Sequence, residues 1–379
     1  MFKEYLFAPQ ELVGGNRIDL CVGGPEIFSN LLSLIDEAKF RVAMEVYTFE
    51  TDETGQKVRD ALIRARARGC EVKLMYDGVG SVFTPLTFFN DLIQAGGEVL
   101  VYHALSYEKL KIFKRNHRKI FLIDAQKALV GGFNIANAYA KSTLEGGMLD
   151  VAVKIEGPVC SQAWHYFDQV WSKSEKKTLG AVIKEKFERR KNKRKFIGNQ
   201  NVQVVGNDHV LDRWRIRREI LFTFSKAQKE ILIMNPYFLP DPMVVRSLIE
   251  AKKRGVKVNV LIPSQTDVPI LNLASQVVQR KLVERGVGVY VWPGFLHGKA
   301  IVVDDVWLSV GSYNFDYRSL FHNLELVVQA VDQTCAKALS VVIMNEISVS
   351  KKVTEKNWVA LGRVGRFFAR LLYRLRALL

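Results

Sequence analysis

One residue pattern occurs twice in the chain, H-x-K-x4-D-x6-G-[GS]-x-N. Each copy lies in an apolar run that is typical of a β-strand, so the His and Lys, two positions apart, share one face. The Asp lies seven positions after the His and faces the other way. Each copy therefore predicts a His and Lys pair for a site and an Asp for the scaffold, and two copies predict one shared site. The residues are His117, Lys119, Asp124 and Asn134 in the first copy and His297, Lys299, Asp304 and Asn314 in the second.

The duplication extends to the elements around the motif. Residues 61–74 resemble 247–260, and residues 44–47 resemble 234–237. Strand-like segments alternate with helix-like segments in both parts of the chain, which predicts an α/β fold. We expect two duplicated halves, each a mixed, largely parallel sheet flanked by helices. Aromatic residues near the repeated strand ends are interpreted as core, with the lining of a lipid channel as the alternative: Tyr47, Phe49, Tyr237 and Phe238.

The same pattern divides the chain into four parts. Residues 1–183 form the first predicted half and residues 201–350 the second. Between them, residues 184–200 are rich in Lys and Arg, which predicts an exposed linker or surface arm. This segment either remains solvated or contacts anionic lipid or nucleic acid. Residues 351–379 are predicted to form a separate basic helix.

That C-terminal segment has an amphipathic pattern. Apolar residues recur every three or four positions after Trp358, and arginines occupy another face. Such a helix is typical of membrane interfaces, and a helix docked on the protein core is the alternative. The apolar positions are Leu361, Gly365, Phe368, Leu372, Leu375 and Leu379, and the basic positions are Arg363, Arg366, Arg370 and Arg374.

Composition narrows the class of partner. The 379 residues carry a formal net charge of +16, which favours an acidic membrane, a phosphate-bearing substrate or nucleic acid. Four scattered cysteines form no metal-binding or disulfide pattern. No apolar run approaches about 18 residues, and the first residues lack the apolar core of a signal peptide. Neither a spanning helix nor a leader is therefore expected.

Two convergent imidazoles can divide the work of phosphoryl transfer. One attacks phosphorus and forms a phosphohistidine, while the other protonates the leaving alkoxide and then deprotonates the acceptor hydroxyl. The two lysines and two asparagines can hold the phosphate oxygens, and neither a metal nor another cofactor is expected. A carboxylate on the far nitrogen would fix each tautomer. The candidates are Asp150 and Glu325, 33 and 28 positions after their histidines, with an ordinary surface acid as the alternative for each.

These residues resemble the doubled HKD motif of the phospholipase D superfamily, and the resemblance covers nearly the whole chain. It implies two halves packed about a pseudo-two-fold axis, with a single active site between them. It also implies His117 as the nucleophile and His297 as the general acid and base, although the sequence alone leaves the two interchangeable. The resemblance further implies phosphate binding by Lys119, Asn134, Lys299 and Asn314, structural roles for Asp124 and Asp304, and orientation of the histidines by Asp150 and Glu325.

Five segments narrow the resemblance further: 115–119, 131–134, 155–158, 267–269 and 296–299. On these segments, the chain resembles bacterial cardiolipin synthases of the shorter, peripherally attached type. This implies transfer of a phosphatidyl group from one phosphatidylglycerol to another with release of glycerol. It implies phosphatidylglycerol and cardiolipin as partners, and a peripheral position on the cytoplasmic side of the cell membrane, held by the C-terminal helix; nucleic acid is not expected. The alternatives are a phospholipase D or phosphodiesterase that hydrolyses lipid or nucleic acid at the same site, and a non-catalytic lipid-binding scaffold.

Overall fold

The structure is a computed structural model, and it describes most of the chain. The predicted basic segment 184–200 lies outside the described part except for its last five residues. The described residues are 3–8, 11–103, 114–174, 196–207 and 212–377.

Within these ranges the strands join into one sheet of fifteen. The strands of the first half are β1 (Val13–Val22), β2 (Arg41–Val46), β3 (Glu71–Asp77), β4 (Glu98–Tyr102), β5 (Ile120–Ile123), β6 (Lys127–Gly131) and β7 (Val151–Glu156). The remaining strands are β8 (Gln200–Gly206), β9 (Glu230–Met234), β10 (Lys257–Gln265), β11 (Gly288–Phe295), β12 (Ala300–Val303), β13 (Trp307–Gly311), β14 (Leu326–Val331) and β15 (Lys351–Lys352).

Helices pack against these strands, and several begin at residues that cap a helix. Asp52 accepts a hydrogen bond from the Gly55 backbone N–H at 3.0 Å, and Asp241 caps a later helix in the same way. Helices of the first half are α1 (Gly24–Asp36), α2 (Glu53–Ala67), α3 (Asn90–Gln94), α4 (Asn137–Ala140) and α5 (Cys160–Ser174). Those that follow are α6 (Arg215–Lys226), α7 (Pro242–Lys253), α8 (Pro269–Val283), α9 (Tyr317–Phe321), α10 (Gln333–Ser348), α11 (Glu355–Ala360) and α12 (Gly362–Arg374). Short 3-10 helices occupy Lys3–Tyr5, Leu86–Phe89 and Thr143–Glu145.

The strand order confirms the predicted duplication. From the centre outward, one half runs β1-β7-β6-β5-β2-β3-β4 and the other runs β8-β14-β13-β12-β9-β10-β11. The two equivalent strands β1 and β8 pair with each other in antiparallel orientation, with Val13 opposite Val202. An antiparallel pair of equivalent strands is the arrangement that a pseudo-two-fold axis produces, so the two halves are related as expected.

The mixed α/β class is also confirmed, but the sheet is less parallel than the sequence predicts. Among the strands described above, parallel pairing is confined to β2-β3-β4 in the first half and β9-β10-β11 in the second. The remaining described pairs are antiparallel. The reason lies in the connection that follows each motif: β5 joins β6, and β12 joins β13, through a turn of three residues. A turn this short cannot make the crossover that parallel strands require.

The two halves share one hydrophobic core. Strands β13 and β14 lie against β6 and β7, and a single buried cluster includes Val130 and Val153 together with Leu308 and Val328. The last helix of each half crosses to its neighbour, since α5 packs against β8 and α10 packs against β1. The interface between the halves is therefore packed like the interior of one domain, which gives a rigid base to any site formed there.

The C-terminal helix α12 docks on the protein by one face and exposes another. It packs against α8, with Ala369 fully buried, and Trp358 of the preceding helix α11 is buried beneath the Arg280 and Arg370 guanidinium groups. The docked arrangement, which the sequence offered as the alternative, thus accounts for part of the apolar pattern. A second set of apolar side chains remains exposed: Val364, Phe367, Phe368, Leu371 and Leu375.

No helix in the described ranges has the length and apolar content that crossing a bilayer would need.

Candidate active site

Backbone pairing between the halves positions both histidines. The His117 N–H donates to the Leu324 carbonyl at 3.0 Å, and the His297 N–H donates to the Leu149 carbonyl at 2.7 Å. Strands β5 and β12 begin three residues after each His, so His and Lys lie just before the strand rather than within it as predicted. Each motif is therefore fixed by a segment of the opposite half.

Each histidine is also bonded to an acid from the opposite half. The His117 Nδ1 lies 3.0 and 3.2 Å from the two carboxylate oxygens of Glu325. The His297 Nδ1 lies 2.9 Å from Asp150 Oδ2. Spacing along the sequence had associated each acid with the histidine that precedes it in its own half. In the structure, each histidine is instead bonded to the acid of the opposite half. The reason is that the residue before each acid, Leu149 or Leu324, forms a backbone bridge with the residue before the histidine of the other half.

Serine hydroxyls hold the Glu325 carboxylate in place. Ser312 Oγ and Ser319 Oγ donate to its two oxygens at 2.5 and 2.7 Å. Burial raises the pKa of Glu325, but the interaction with His117, the charge of Lys119 and the hydrogen bond from Ser312 together lower it by more, so that it lies below its ordinary value. The ionised carboxylate can only accept hydrogen bonds. His117 must therefore donate its Nδ1 proton, which leaves a lone pair on Nε2.

The surroundings of His297 differ from those of His117. Lys299 Nζ lies 2.9 Å from the His297 Nδ1, so that nitrogen has both an ammonium and the Asp150 carboxylate as neighbours. Gly132 occupies the position equivalent to Ser312. A Cβ atom at Gly132 would lie 2.9 Å from Asp150 Oδ1 and 3.0 Å from the Lys299 Cδ, so the glycine provides space for this lysine and acid.

The two lysines are buried beside the histidines. Lys119 Nζ donates to the His117 carbonyl at 2.8 Å, and Lys299 Nζ donates to the His297 carbonyl at 2.5 Å. Burial lowers the pKa of Lys299 to about 8 and holds the pKa of Lys119 well below its usual range, although both acids oppose this. An anionic group between these ammonium groups would stabilise their charged form.

The two asparagines differ in their surroundings. Asn134 has a hydrogen bond at each end of its amide, since its Oδ1 accepts from the Thr48 N–H at 3.1 Å and its Nδ2 donates to the Tyr139 hydroxyl at 2.9 Å. The buried Oδ1 of Asn314 has no hydrogen-bond partner among the described residues. An unpaired buried amide oxygen is costly, and a donor group of a bound ligand would satisfy it.

Aromatic rings cover both imidazoles. Tyr47 packs edge-to-face on His117 with ring centroids 5.1 Å apart, and Tyr139 packs in the same way on His297 at 5.0 Å. The sequence favoured a core role for Tyr47 and did not single out Tyr139. Tyr47 recurs in the second half as Tyr237, and this repetition could have indicated a role at the site. Tyr139 corresponds to Ser319 in the second half, so the repeat contained no such indication for it.

Burial controls the protonation of both histidines. It lowers the pKa of His117 to about 4, where Glu325 raises the value and the lysines lower it. It lowers the pKa of His297 to about 4 as well, where Lys299 acts in the same direction and Asp150 opposes it. The side chains are almost enclosed, since the two residues are only 8% and 6% exposed. Both imidazoles are therefore neutral near pH 7.

The two motif aspartates lie away from the histidines and hold turns. The Asp124 carboxylate accepts from the Phe40 and Arg41 N–H groups at 2.8 and 3.0 Å. The Asp304 carboxylate accepts from the Lys229 N–H at 2.7 Å and from further groups of the same turn. Both aspartates adopt positive φ angles, 51° and 57°, at the end of their strand. These contacts join the motif strand to the start of its neighbour.

Comparison with known proteins identifies the family. A family model described as "Cardiolipin synthase, PLD-like domain" matches residues 31–171 and 220–346. The chain belongs to this family. The predicted membership of the phospholipase D superfamily and the predicted enzyme class, a cardiolipin synthase-like phosphatidyltransferase, are thereby confirmed. Within the described ranges, no group of three or more His, Cys, Asp or Glu side chains could hold a metal ion.

Individual relatives agree with this assignment. Cardiolipin synthase 1 of Staphylococcus epidermidis is 31% identical over 348 residues, which cover 91% of this chain and 70% of the relative. The major cardiolipin synthase ClsA of Bacillus subtilis is 32% identical over 91% of this chain and 71% of its own length. The solved phosphatidylserine synthase of Haemophilus influenzae Rd KW20 shares the fold, with a TM-score of 0.70, 16% identity and coverage of 96% of this chain and 95% of that one.

The low pKa of the two histidines predicts a pH-dependent stability. The unfolded chain takes up protons near the ordinary histidine pKa of 6.5, whereas the folded chain takes them up only near 4. The free energy of unfolding should therefore fall as pH decreases from 6.5 to 4. In urea denaturation at a series of pH values, His117→Gln/His297→Gln should show a shallower fall than the wild type. The exposed His165→Gln serves as the control, and equal slopes for the double variant and the wild type would contradict the assigned neutral state.

Proposed function

We propose that the chain transfers a phosphatidyl group from one phosphatidylglycerol to a second, with release of glycerol. The names of the curated relatives support a phospholipid substrate. The observation that carries the proposal is the pair of buried histidines, each bonded at Nδ1 to a carboxylate of the opposite half and each next to a buried lysine. Such a pair suits a two-step displacement at phosphorus, in which one imidazole is the nucleophile and the other moves protons.

In the first step, the His117 Nε2 attacks the phosphorus of the donor lipid and forms a P–N bond. The P–O bond to glycerol breaks, and His297 donates a proton to the leaving alkoxide. In the second step, His297 takes a proton from a hydroxyl of the second phosphatidylglycerol. That oxygen attacks phosphorus, the P–N bond breaks, and His117 is regenerated. Lys119 and Lys299, with Asn134 and Asn314, stabilise the charge on the phosphate oxygens in both steps.

The hydrogen bonds around the two acids support His117 as the nucleophile. Glu325 remains ionised and is held by two serine hydroxyls, so the His117 tautomer is fixed with Nε2 free to attack. His297 has both a carboxylate and an ammonium at Nδ1, which allows its protonation to respond to the charge in the site. A bound phosphodiester brings a negative charge between the lysines. This raises the pKa of His297 and favours the protonated form that the first step needs.

The product distribution tests this function. Incubation of the protein with phosphatidylglycerol vesicles should yield cardiolipin and glycerol, identified by mass spectrometry. His117→Ala should lower the rate by roughly a thousandfold or more. The exposed His165→Ala, the matched control, should retain the wild-type rate. Phosphatidic acid as the main product would instead indicate a phospholipase D, and full activity of His117→Ala would contradict the mechanism.

The assignment of the two histidines has a separate test. A phosphatidyl ester of p-nitrophenol has a leaving group that departs without a proton, so the first step no longer needs His297. His297→Ala should then release one equivalent of nitrophenol per site in a burst and stop, because the base for the second step is missing. His117→Ala should release none. A burst from His117→Ala, with none from His297→Ala, would reverse the two roles.

We further propose that the protein lies peripherally on the cytoplasmic side of the cell membrane and contacts anionic phospholipid through helix α12. Its exposed apolar set includes Phe367, which is 63% exposed, and arginines lie beside this set on the same helix. A helix of this kind inserts its apolar face at the acyl boundary, and each Lys or Arg near an anionic surface contributes about 1 kcal/mol.

Surface substitutions on α12 test the membrane contact without disturbing the docked face. Val364→Ser/Phe367→Ser should lower binding to vesicles of phosphatidylglycerol and phosphatidylcholine by about tenfold in a flotation assay, because exposed apolar area is lost. Phe40→Ser/Val341→Ser removes one exposed Phe and one exposed Val elsewhere, and should bind like the wild type. Equal binding by both double variants would contradict a role for the helix.

A further inference from the structure

Beyond the C-terminal helix, a loop that borders His117 carries exposed apolar side chains. Residues 78–85 follow β3, and the base of this loop is attached to the site: Ser81 Oγ donates to the Tyr47 carbonyl at 3.1 Å, and Tyr47 packs on His117. At the tip, Phe83 is 93% exposed, and Val82 beside it is exposed as well. Phe83 thus stands in solvent only two residues after Ser81, whose hydroxyl is bonded to the Tyr47 backbone.

A second loop has the same arrangement beside His297. Residues 141–147 lie between Tyr139, which packs on the imidazole, and Leu149, whose carbonyl accepts from the His297 N–H. At the tip, Leu144 is 98% exposed. The loop is internally bonded, since Ser142 caps the turn and its hydroxyl donates to Glu145 at 2.6 Å. The turn that carries Leu144 is therefore ordered, and its apolar side chain is held outward.

The second half contributes a third apolar position at the same end of the molecule. Ile270 lies in the first turn of α8 and is 51% exposed. The preceding residues are attached near the site, because the Tyr237 hydroxyl donates to Asp267 at 2.5 Å and Tyr237 is the equivalent of Tyr47. Two of these segments follow parallel strands, β3 and β10, and the third lies between α4 and β7. Segments of both halves thus bring apolar side chains to the site. We name Phe83, Leu144 and Ile270 the apolar rim.

Positive charge borders the active site. Burial lowers the pKa of His322, and the charges of Arg213, Arg318 and Lys114 act in the same direction. Burial raises the pKa of Tyr47, and the charges of Arg318 and Arg115 oppose this, so positive charge also acts on the ring that packs on His117. Arg318 precedes Ser319, the residue that donates to Glu325. A surface that combines apolar tips with cations is complementary to the interface of an anionic bilayer, where acyl chains meet phosphate groups.

We propose that the apolar rim inserts into the interface of an anionic phospholipid bilayer, so that the active site opens directly onto the membrane surface. The inference rests on the proposed function in one respect, that the substrate is a membrane lipid. A lipid whose headgroup enters the site from a docked bilayer keeps most of its acyl chain in the membrane. It then avoids the large cost of moving that chain through water.

The test measures vesicle binding and compares the reaction rate on vesicles with the rate on monomeric lipid. Phe83→Ser/Leu144→Ser should bind vesicles of phosphatidylglycerol and phosphatidylcholine about tenfold more weakly than the wild type in flotation, since two apolar side chains no longer insert. Its rate on these vesicles should fall more than its rate on short-chain phosphatidylglycerol dispersed as monomers. Phe40→Ser/Val341→Ser is the matched control, because Phe40 lies at the opposite end of β2 from Tyr47. It should match the wild type in both assays.

Two results would overturn the inference. One is wild-type vesicle binding by Phe83→Ser/Leu144→Ser, and the other is an equal loss of rate on vesicles and on monomers. Thermal denaturation checks the fold of the variant, whose substituted side chains are exposed and should leave the melting temperature unchanged. Absence of any turnover by the wild type would contradict the proposed function instead, and the flotation result would still decide whether the apolar rim binds the membrane.

Discussion

The active site depends on an exchange of carboxylates between the two halves. Glu325 orients His117, and Asp150 orients His297, so neither half contains a complete histidine and acid pair of its own. The exchange is fixed by the backbone, because each acid follows directly after a residue that pairs with the opposite motif. A buried carboxylate without its partner is strongly destabilising. Formation of the site and docking of the halves are therefore one event, and the shared core between β6, β7, β13 and β14 provides the rigidity that both need.

Duplication gives the site its symmetry, and a few substitutions give it two different sides. The position of Ser312 in the second half is occupied by Gly132 in the first half, and the position of Ser319 is occupied by Tyr139. On one side the two serines hold the carboxylate of Glu325, whereas on the other Gly132 leaves space for Lys299 beside His297, and the equivalent of Ser319 is a tyrosine. A strictly symmetric site would give both histidines the same pKa response and the same tautomer. These exchanges offer a physical basis for a division of labour between nucleophile and proton carrier.

The sequence predicted the residue types of the site because the motif is local, and its repetition excluded chance. The duplicated α/β architecture followed from the same repetition. The crossed pairing of acids could not be predicted, since it depends on contacts between residues more than 140 positions apart, such as His297 and Asp150. The alternation of strands and helices favoured a parallel sheet, whereas the three-residue turn after each motif requires an antiparallel pair. Residues 175–195, which include most of the predicted linker, lie outside the described part.

The C-terminal helix shows why periodicity alone could not decide between docking and membrane contact. The apolar positions that recur every three or four residues include both docked and exposed side chains, since Leu372 packs against the core while Phe368 is exposed. Only packing separates them, since Ala369 is buried while Phe367 stands in solvent. The end of the helix is tied to the site region as well, because Arg376 Nε donates to the Tyr317 hydroxyl at 2.8 Å, at the start of the helix that carries Ser319. A membrane contact through α12 would therefore also constrain the orientation of the active-site edge.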